Sequence, residues 1–120
     1  MEIRKIGELS LGIAMSCLEH SGHEVVDAFD GPTGEKVIVA DDGLGALVFA
    51  RVNGRSYRRG DSFPPIGADD GAREDMERAM LAWCSANAGI AVTKAVRFDV
   101  FEVFIQSDST AVVRHHVNAF

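Results

Sequence analysis

The spacing of apolar and polar positions divides this chain into helices and strands. Between residues 5 and 21, Ile6, Leu9, Ile13, Cys17 and His20 recur every three or four positions, and Leu11, Ala14, Met15 and Leu18 widen the apolar face. That period predicts a helix, and Gly22 stands where its C-terminal cap should be. His23 to Phe29, with Val25 and Val26, predict a short strand, and "DGPTG" after it is turn punctuation. Lys36–Ala40 and Ala46–Val52 predict two more strands, joined by the glycine-bearing turn "DDGLG". Residues 53–68 hold Pro64 and Pro65 and no period, which predicts a loop. "DDGAREDMERAMLAWCSANAG", residues 69–89, carries the strongest helix signal. Asp69 or Asp70 can cap it, Glu74 and Asp75 suit its positive end, and Gly89 ends it. Ala72, Met76, Ala79, Met80 and Trp83 line one face. "AVRFDVFEVFIQ" then alternates, with Val96, Phe98, Val100 and Val103 as core positions, and "TAVVRHHVNAF" predicts the last strand. The order α-β-β-β-α-β-β implies an α/β domain with a mixed sheet of four or five strands, flanked by two helices.

Composition narrows the function classes. The 120 residues suffice for one domain spanning 1–120 and not for two. A net charge of −6 argues against a binder that holds nucleic acid by overall charge, although a local basic patch is compatible with it. No apolar run approaches the ~20 residues of a membrane span. The N-terminus, "MEIRKIGELS", lacks the apolar core and cleavage site of a signal peptide, so a cytoplasmic location is expected. Cys17 and Cys84 fall in predicted helices and are expected to be reduced, buried thiols.

Local motifs carry a family resemblance. Gly34-Glu35-Lys36-Val37-Ile38-Val39-Ala40, followed by Phe49-Ala50-Arg51-Val52-Asn53-Gly54-Arg55, resembles a hairpin that elsewhere reads Gly-Glu-Ile-Asp-Leu-Ile-Ala and Phe-Val-Glu-Val-Lys-x-Arg. Arg97-Phe98-Asp99-Val100 and Asn118-Ala119-Phe120 match the later segments Arg-Phe-Asp-Val and Asn-Ala-Phe, while Ala14, Leu18, Glu19 and Gly22 fit the first helix. The chain therefore resembles the bacterial YraN-type family of uncharacterised endonuclease-like proteins. The resemblance implies a restriction-endonuclease-like core, similar to that of Holliday-junction resolvases. It also implies a divalent metal held by the hairpin Asp and Glu, with the Lys positioning or deprotonating water.

Those three positions are Val37, Arg51 and Asn53 here. Residues 51 and 53 share a strand face, as such a site requires, but the ligands are missing. Magnesium takes hard oxygen ligands, and Val37 supplies none. Arg51 has the wrong sign: a unit cation about 4 Å from a divalent ion costs on the order of 8 kcal/mol at an effective dielectric of 20. A gapless register puts Ser10-Leu11 where the family has Gly-Glu, with Glu8 one turn earlier. The second helix is acidic where the family is basic. No metal site and no cofactor are expected.

The remaining polar residues set two alternatives. Arg51 and Asn53 offer an anion contact, or Arg51 pairs with a helix carboxylate such as Glu8. "RSYRRG", with Arg55, Tyr57, Arg58 and Arg59, can clamp phosphate and stack a base, or it is a solvated loop. His115 and His116 are adjacent in a strand, so they point to opposite faces and cannot chelate one ion. His20 and His23 straddle a helix end without a metal context. The expected function is that of a pseudonuclease, a non-catalytic module binding a protein partner or, weakly, nucleic acid, with a homodimer admissible and no membrane association. The alternative is a Mg²⁺- or Mn²⁺-dependent DNA endonuclease using displaced carboxylates: Glu8, Glu35 and Asp41 or Asp42.

Overall fold

The computed structural model describes residues 3–58, 60–61, 70–91, 93–107 and 110–120. In chain order they form α1 (Ile3–His20), β1 (Glu24–Asp30), β2 (Lys36–Asp41), β3 (Ala46–Ser56), α2 (Asp70–Ala86), the short α3 (Ala88–Ala91), β4 (Ala95–Ser107) and β5 (Thr110–His116). The five strands lie in one sheet in the order β1-β2-β3-β4-β5. The pair β3–β4 is parallel and the other three are antiparallel, so the sheet is mixed, as the element order requires. The parallel pair cannot be joined by a tight turn, which is why the crossover containing α2 stands between them.

Strand alternation sorts the core into two layers. Ile38, Ala40, Val48, Ala50, Val52, Phe101, Val103 and Ile105 face α1, which buries Ile6, Ala14 and Leu18 against them. Val37, Val39, Leu47 and Phe49 face the other way and meet Met76 and Trp83 of α2. A sheet covered on both faces makes β2 and the first half of β3 continuously apolar rather than alternating. The four residues Ile6, Ser10, Ala14 and Leu18, one helical turn apart, form the ridge of α1 that lies on the sheet, all at most 7% exposed. Gly54 lets that ridge approach: a Cβ there would stand 1.9 Å from the Ser10 hydroxyl oxygen. At the far end of α1, Gly22 adopts φ +84° and the His23 N–H returns to the Leu18 carbonyl at 3.0 Å, a left-handed cap at the residue that the sequence marks for it.

Several expectations change. β3 continues to Ser56 instead of ending at Val52, because β4 runs beside it through the pairs Arg55–Phe104 and Ser56–Ile105. The last strand stops at His116; Asn118 takes φ 56° and the tail turns back, with the Ala119 N–H on the Phe98 carbonyl at 2.8 Å. Val96 is 40% exposed, not core. His20 is exposed and bonds the Ser16 carbonyl. Cys17 and Cys84 are free thiols, as expected, but only half-buried. Burial pushes the Cys84 thiol up. Asp69 and residues 62–68 of the expected loop lie outside the described residues. Among the described residues no helix is long and apolar enough to cross a membrane.

Candidate functional site

The hairpin of β2 and β3 places Val37 directly across from Arg51. Both belong to the α2 side of the sheet, and their surroundings differ. Val37 is fully buried among Val39, Leu47, Phe49, Met76 and Trp83. Arg51 lies one step further out, half-buried, with its guanidinium 5.5 Å from the centre of the Phe120 ring. Asn53 is next on that face and stands beside Glu102 of β4. Arg51 does not pair with Glu8, which sits 3.8 Å from Arg4 on the surface of α1. The returning C-terminal tail supplies the Arg51 contact instead.

The displaced carboxylates do not converge. Glu8 and Glu35 line one groove of about 740 Å³, together with Arg4, Lys36, Asn53 and Glu102. Glu35 is occupied in its turn, where its carboxylate accepts the N–H and the hydroxyl of Thr33. Asp41 and Asp42 lie at the other end of the hairpin, about 20 Å away at the rise of an extended strand. There they build the second turn. Asp41 accepts the Gly43 N–H at 2.8 Å and meets Lys94 at 3.1 Å. Asp42 accepts the N–H groups of Leu44 and Ala46 at 2.7 and 3.0 Å. The Gly43 N–H and then Lys94 hold the Asp41 carboxyl below the usual range, and the Ala46 and Leu44 N–H groups do the same for Asp42. One ion cannot reach both ends, so the set Glu8, Glu35 and Asp41 or Asp42 is not a site.

The basic cluster is organised around a ring that sequence reasoning did not connect with it. Phe104 of β4 lies beside Arg55 in register, and the Arg55 guanidinium is 6.0 Å from its centre. Tyr57 meets the same ring edge-on at 6.2 Å. Arg114 of β5 approaches it at 5.4 Å. Arg58 is held through its backbone N–H on the Asp61 carboxylate at 2.9 Å, and Arg59 lies outside the described residues. The strip thus runs Arg51, Arg55, Arg114 across β3 to β5, with Glu102 set into it. Glu102 is only 4% exposed and accepts bonds from Arg114 at 2.6 Å and His116 at 2.7 Å.

A second buried carboxylate occupies the opposite face. Asp99 is fully buried and accepts Arg97 Nε and Nη2 at 2.9 and 3.0 Å, His115 Nε2 at 2.8 Å and the Asn118 N–H at 3.0 Å. Burial pushes its carboxyl up, but the bonds from His115, Arg97 and Asn118 outweigh this and hold it below the usual range. The Arg97 guanidinium is held above its usual range chiefly by the bond to Asp99, and it reaches His23 Nε2 at 3.3 Å. The His115 ring stacks on Phe101 at 4.0 Å. His115 and His116 do face opposite sides, each on its own carboxylate. Their partners were legible as the acids interrupting "RFDVFEVF", since an acid inside an apolar strand requires a buried counterpart.

Among the described residues, no three His, Cys, Asp or Glu are grouped to hold a metal ion. No protein-family model matches the chain, and no curated protein matches it.

Proposed function

We propose that this chain is a non-catalytic protein with a restriction-endonuclease-like core, similar to the YraN-type family, that serves as a binding module and contacts nucleic acid weakly. The observation that carries the reading is Val37, sealed among Phe49, Met76 and Trp83 directly across from Arg51. A carboxylate at residue 37 would have to lose its hydration beneath α2, and the guanidinium opposite repels a divalent ion. The mixed sheet, with its hairpin and parallel β3–β4 pair, supports the fold part of the proposal. The binding surface is the strip Arg51, Arg55, Tyr57, Arg58 and Arg114, in which two guanidinium groups and a phenol surround Phe104. Guanidinium groups beside an aromatic edge suit phosphate and an unstacked base.

Two measurements test this. The protein is incubated with single-stranded, duplex and branched DNA and Mn²⁺, and no cleavage is expected. One observation favours the rival nuclease reading: two of its carboxylates, Glu8 and Glu35, line a common groove. Metal-dependent cleavage that disappears in Glu35→Ala would establish that rival. Labelled single-stranded DNA is then titrated at several salt concentrations. About three phosphate contacts give log K against log salt a slope of roughly −2 to −3. Arg55→Ala with Arg58→Ala should weaken binding; tight binding that ignores the double substitution refutes the strip. No binding at low salt favours a protein partner.

A further inference from the structure

Among the described residues the sheet ends in β1 on one side and β5 on the other, and the two edge strands are built differently. β1 carries Glu24, Asp27 and Asp30 in seven residues, is mostly exposed, and has a register shift between Val25 and Asp27. Charges and a bulge are the devices that stop an edge strand from adding a neighbour. β5 is blunted less: its one guanidinium is Arg114, and the register shift beside it lies between Ile105 and Ser107 of β4, opposite its first residue. It contains no acid, and its register on β4 is unbroken from Ala111 to His116. Val112 is 36% exposed, and Ala111 and Val113 are half-buried extensions of the core under α1. Its charges are already answered from within. Glu102 holds Arg114 and His116, and Asp99 holds His115.

We propose that β5 is a self-association edge, pairing antiparallel with β5 of a second copy about a two-fold axis through Val113. That centre uses the whole strand. Val113 meets its own copy, Val112 meets Arg114 of the other chain, Ala111 meets His115, and Thr110 meets His116. All these pairs keep the two α1 helices on one side of a continuous ten-stranded sheet. Moving the centre to Arg114 would set two guanidinium groups directly opposite each other and leave strand residues unpaired. With the centre at Val113 the two Arg114 side chains are diagonal neighbours, about 7–8 Å apart, and each keeps its own Glu102. An isologous interface of this kind closes on itself. β1 offers no equivalent, because two copies of β1 would bring six acids together.

The register makes the test specific in sign. Sedimentation velocity of the full chain over a range of concentrations should show a monomer–dimer equilibrium. Val112→Lys places a cation opposite Arg114 at two equivalent points and should weaken the dimer at least tenfold. Val112→Glu places a carboxylate there instead and should leave the dimer as tight or tighter. Circular dichroism of both variants shows whether the fold is kept. Val113→Cys, in a chain with Cys17→Ser and Cys84→Ser, should oxidise to a disulfide-linked dimer, because residue 113 faces itself across the axis. A protein that stays monomeric at 100 µM, or a dimer equally tight in Val112→Lys, overturns the proposal. So does a loss of dimer in Val112→Glu as large as in Val112→Lys. A monomer whose β5 amides gain exchange protection only with an added extended peptide would assign the edge to another protein.

Discussion

Asp99→Asn should be among the most destabilising single-atom changes this protein can undergo. The carboxylate is fully buried and receives four hydrogen bonds, two at each oxygen. The asparagine oxygen can keep the bonds of the Oδ1 position, from Arg97 Nε and the Asn118 N–H. Its NH₂ group then faces Arg97 Nη2 and His115 Nε2, two donors against a donor. Removing one partner of a buried charged pair costs about 3–5 kcal/mol. Arg97 and His115 are 23% and 24% exposed, so water can partly answer them, and we expect the low end of that range, about 3 kcal/mol. That is a large share of the roughly 5–15 kcal/mol available to a domain. Urea titration should show it as a fall in the midpoint of about 2 M at an m-value near 1.5 kcal/mol/M. The pH dependence fixes the origin. A carboxyl held below its ordinary value contributes stability that is complete above the unfolded pKa, and the contribution is lost as pH falls through the folded one. The gap between wild type and Asp99→Asn should narrow as pH falls below about 3.8, the ordinary value. A gap under 1 kcal/mol at pH 7, or one as wide at pH 2 as at pH 6, would refute the reasoning.

Gly54→Ala should destabilise by about 1–3 kcal/mol in thermal or urea unfolding, because its Cβ would fall 2.6 Å from the Ser10 Cβ and push α1 off the sheet. Adding Ser10→Ala should not rescue it, since the Cβ remains; full rescue would show that only the hydroxyl is in the way. Ser10→Ala alone should be neutral or stabilising by about 1 kcal/mol, because the Ser10 hydroxyl is buried without a hydrogen-bond partner among the described residues. A loss of stability above 1 kcal/mol would mean that the hydroxyl is satisfied.

Local patterns carried most of the fold and little of the site. The period of α1, the glycine at its cap and the hairpin turn are properties of neighbouring residues, and each is found where the sequence puts it. The end of β3 was not legible because Asn53 to Ser56 are held by pairing with Glu102 to Ile105, about fifty residues later. Val96 alternates correctly with Phe98, yet Val96 is exposed while Phe98 is half-buried against Phe49 and the returning Phe120, a contact that alternation does not announce. The failure of Asp41 and Asp42 as ligands is a matter of distance along a strand, and the turn glycines beside them already signalled a structural use. Arg114 and Glu102 joined the basic strip unannounced, since nothing local ties β5 to "RSYRRG".

The parallel seam between β3 and β4 also governs the order of assembly. β1–β2 and β2–β3 close over residues 31–35 and 42–45, and β4–β5 over two residues, whereas the β3–β4 contact must first close residues 57–94. By the logarithmic dependence of closure entropy on length, that step costs about 2 kcal/mol more than closing a four-residue turn. The chain is thus two quickly formed pieces waiting for one slow encounter. Until it happens, Leu47, Val48, Phe49 and Ala50 on one side and Val100, Phe101 and Val103 on the other present raw backbone and apolar side chains to water. In pulse-labelling exchange, amides shared between β3 and β4 should be protected after those within the hairpins; simultaneous protection would contradict this order. Those two strands are where a stalled chain would find a wrong neighbour, which ties the cost of this topology to the protein's concentration while it folds.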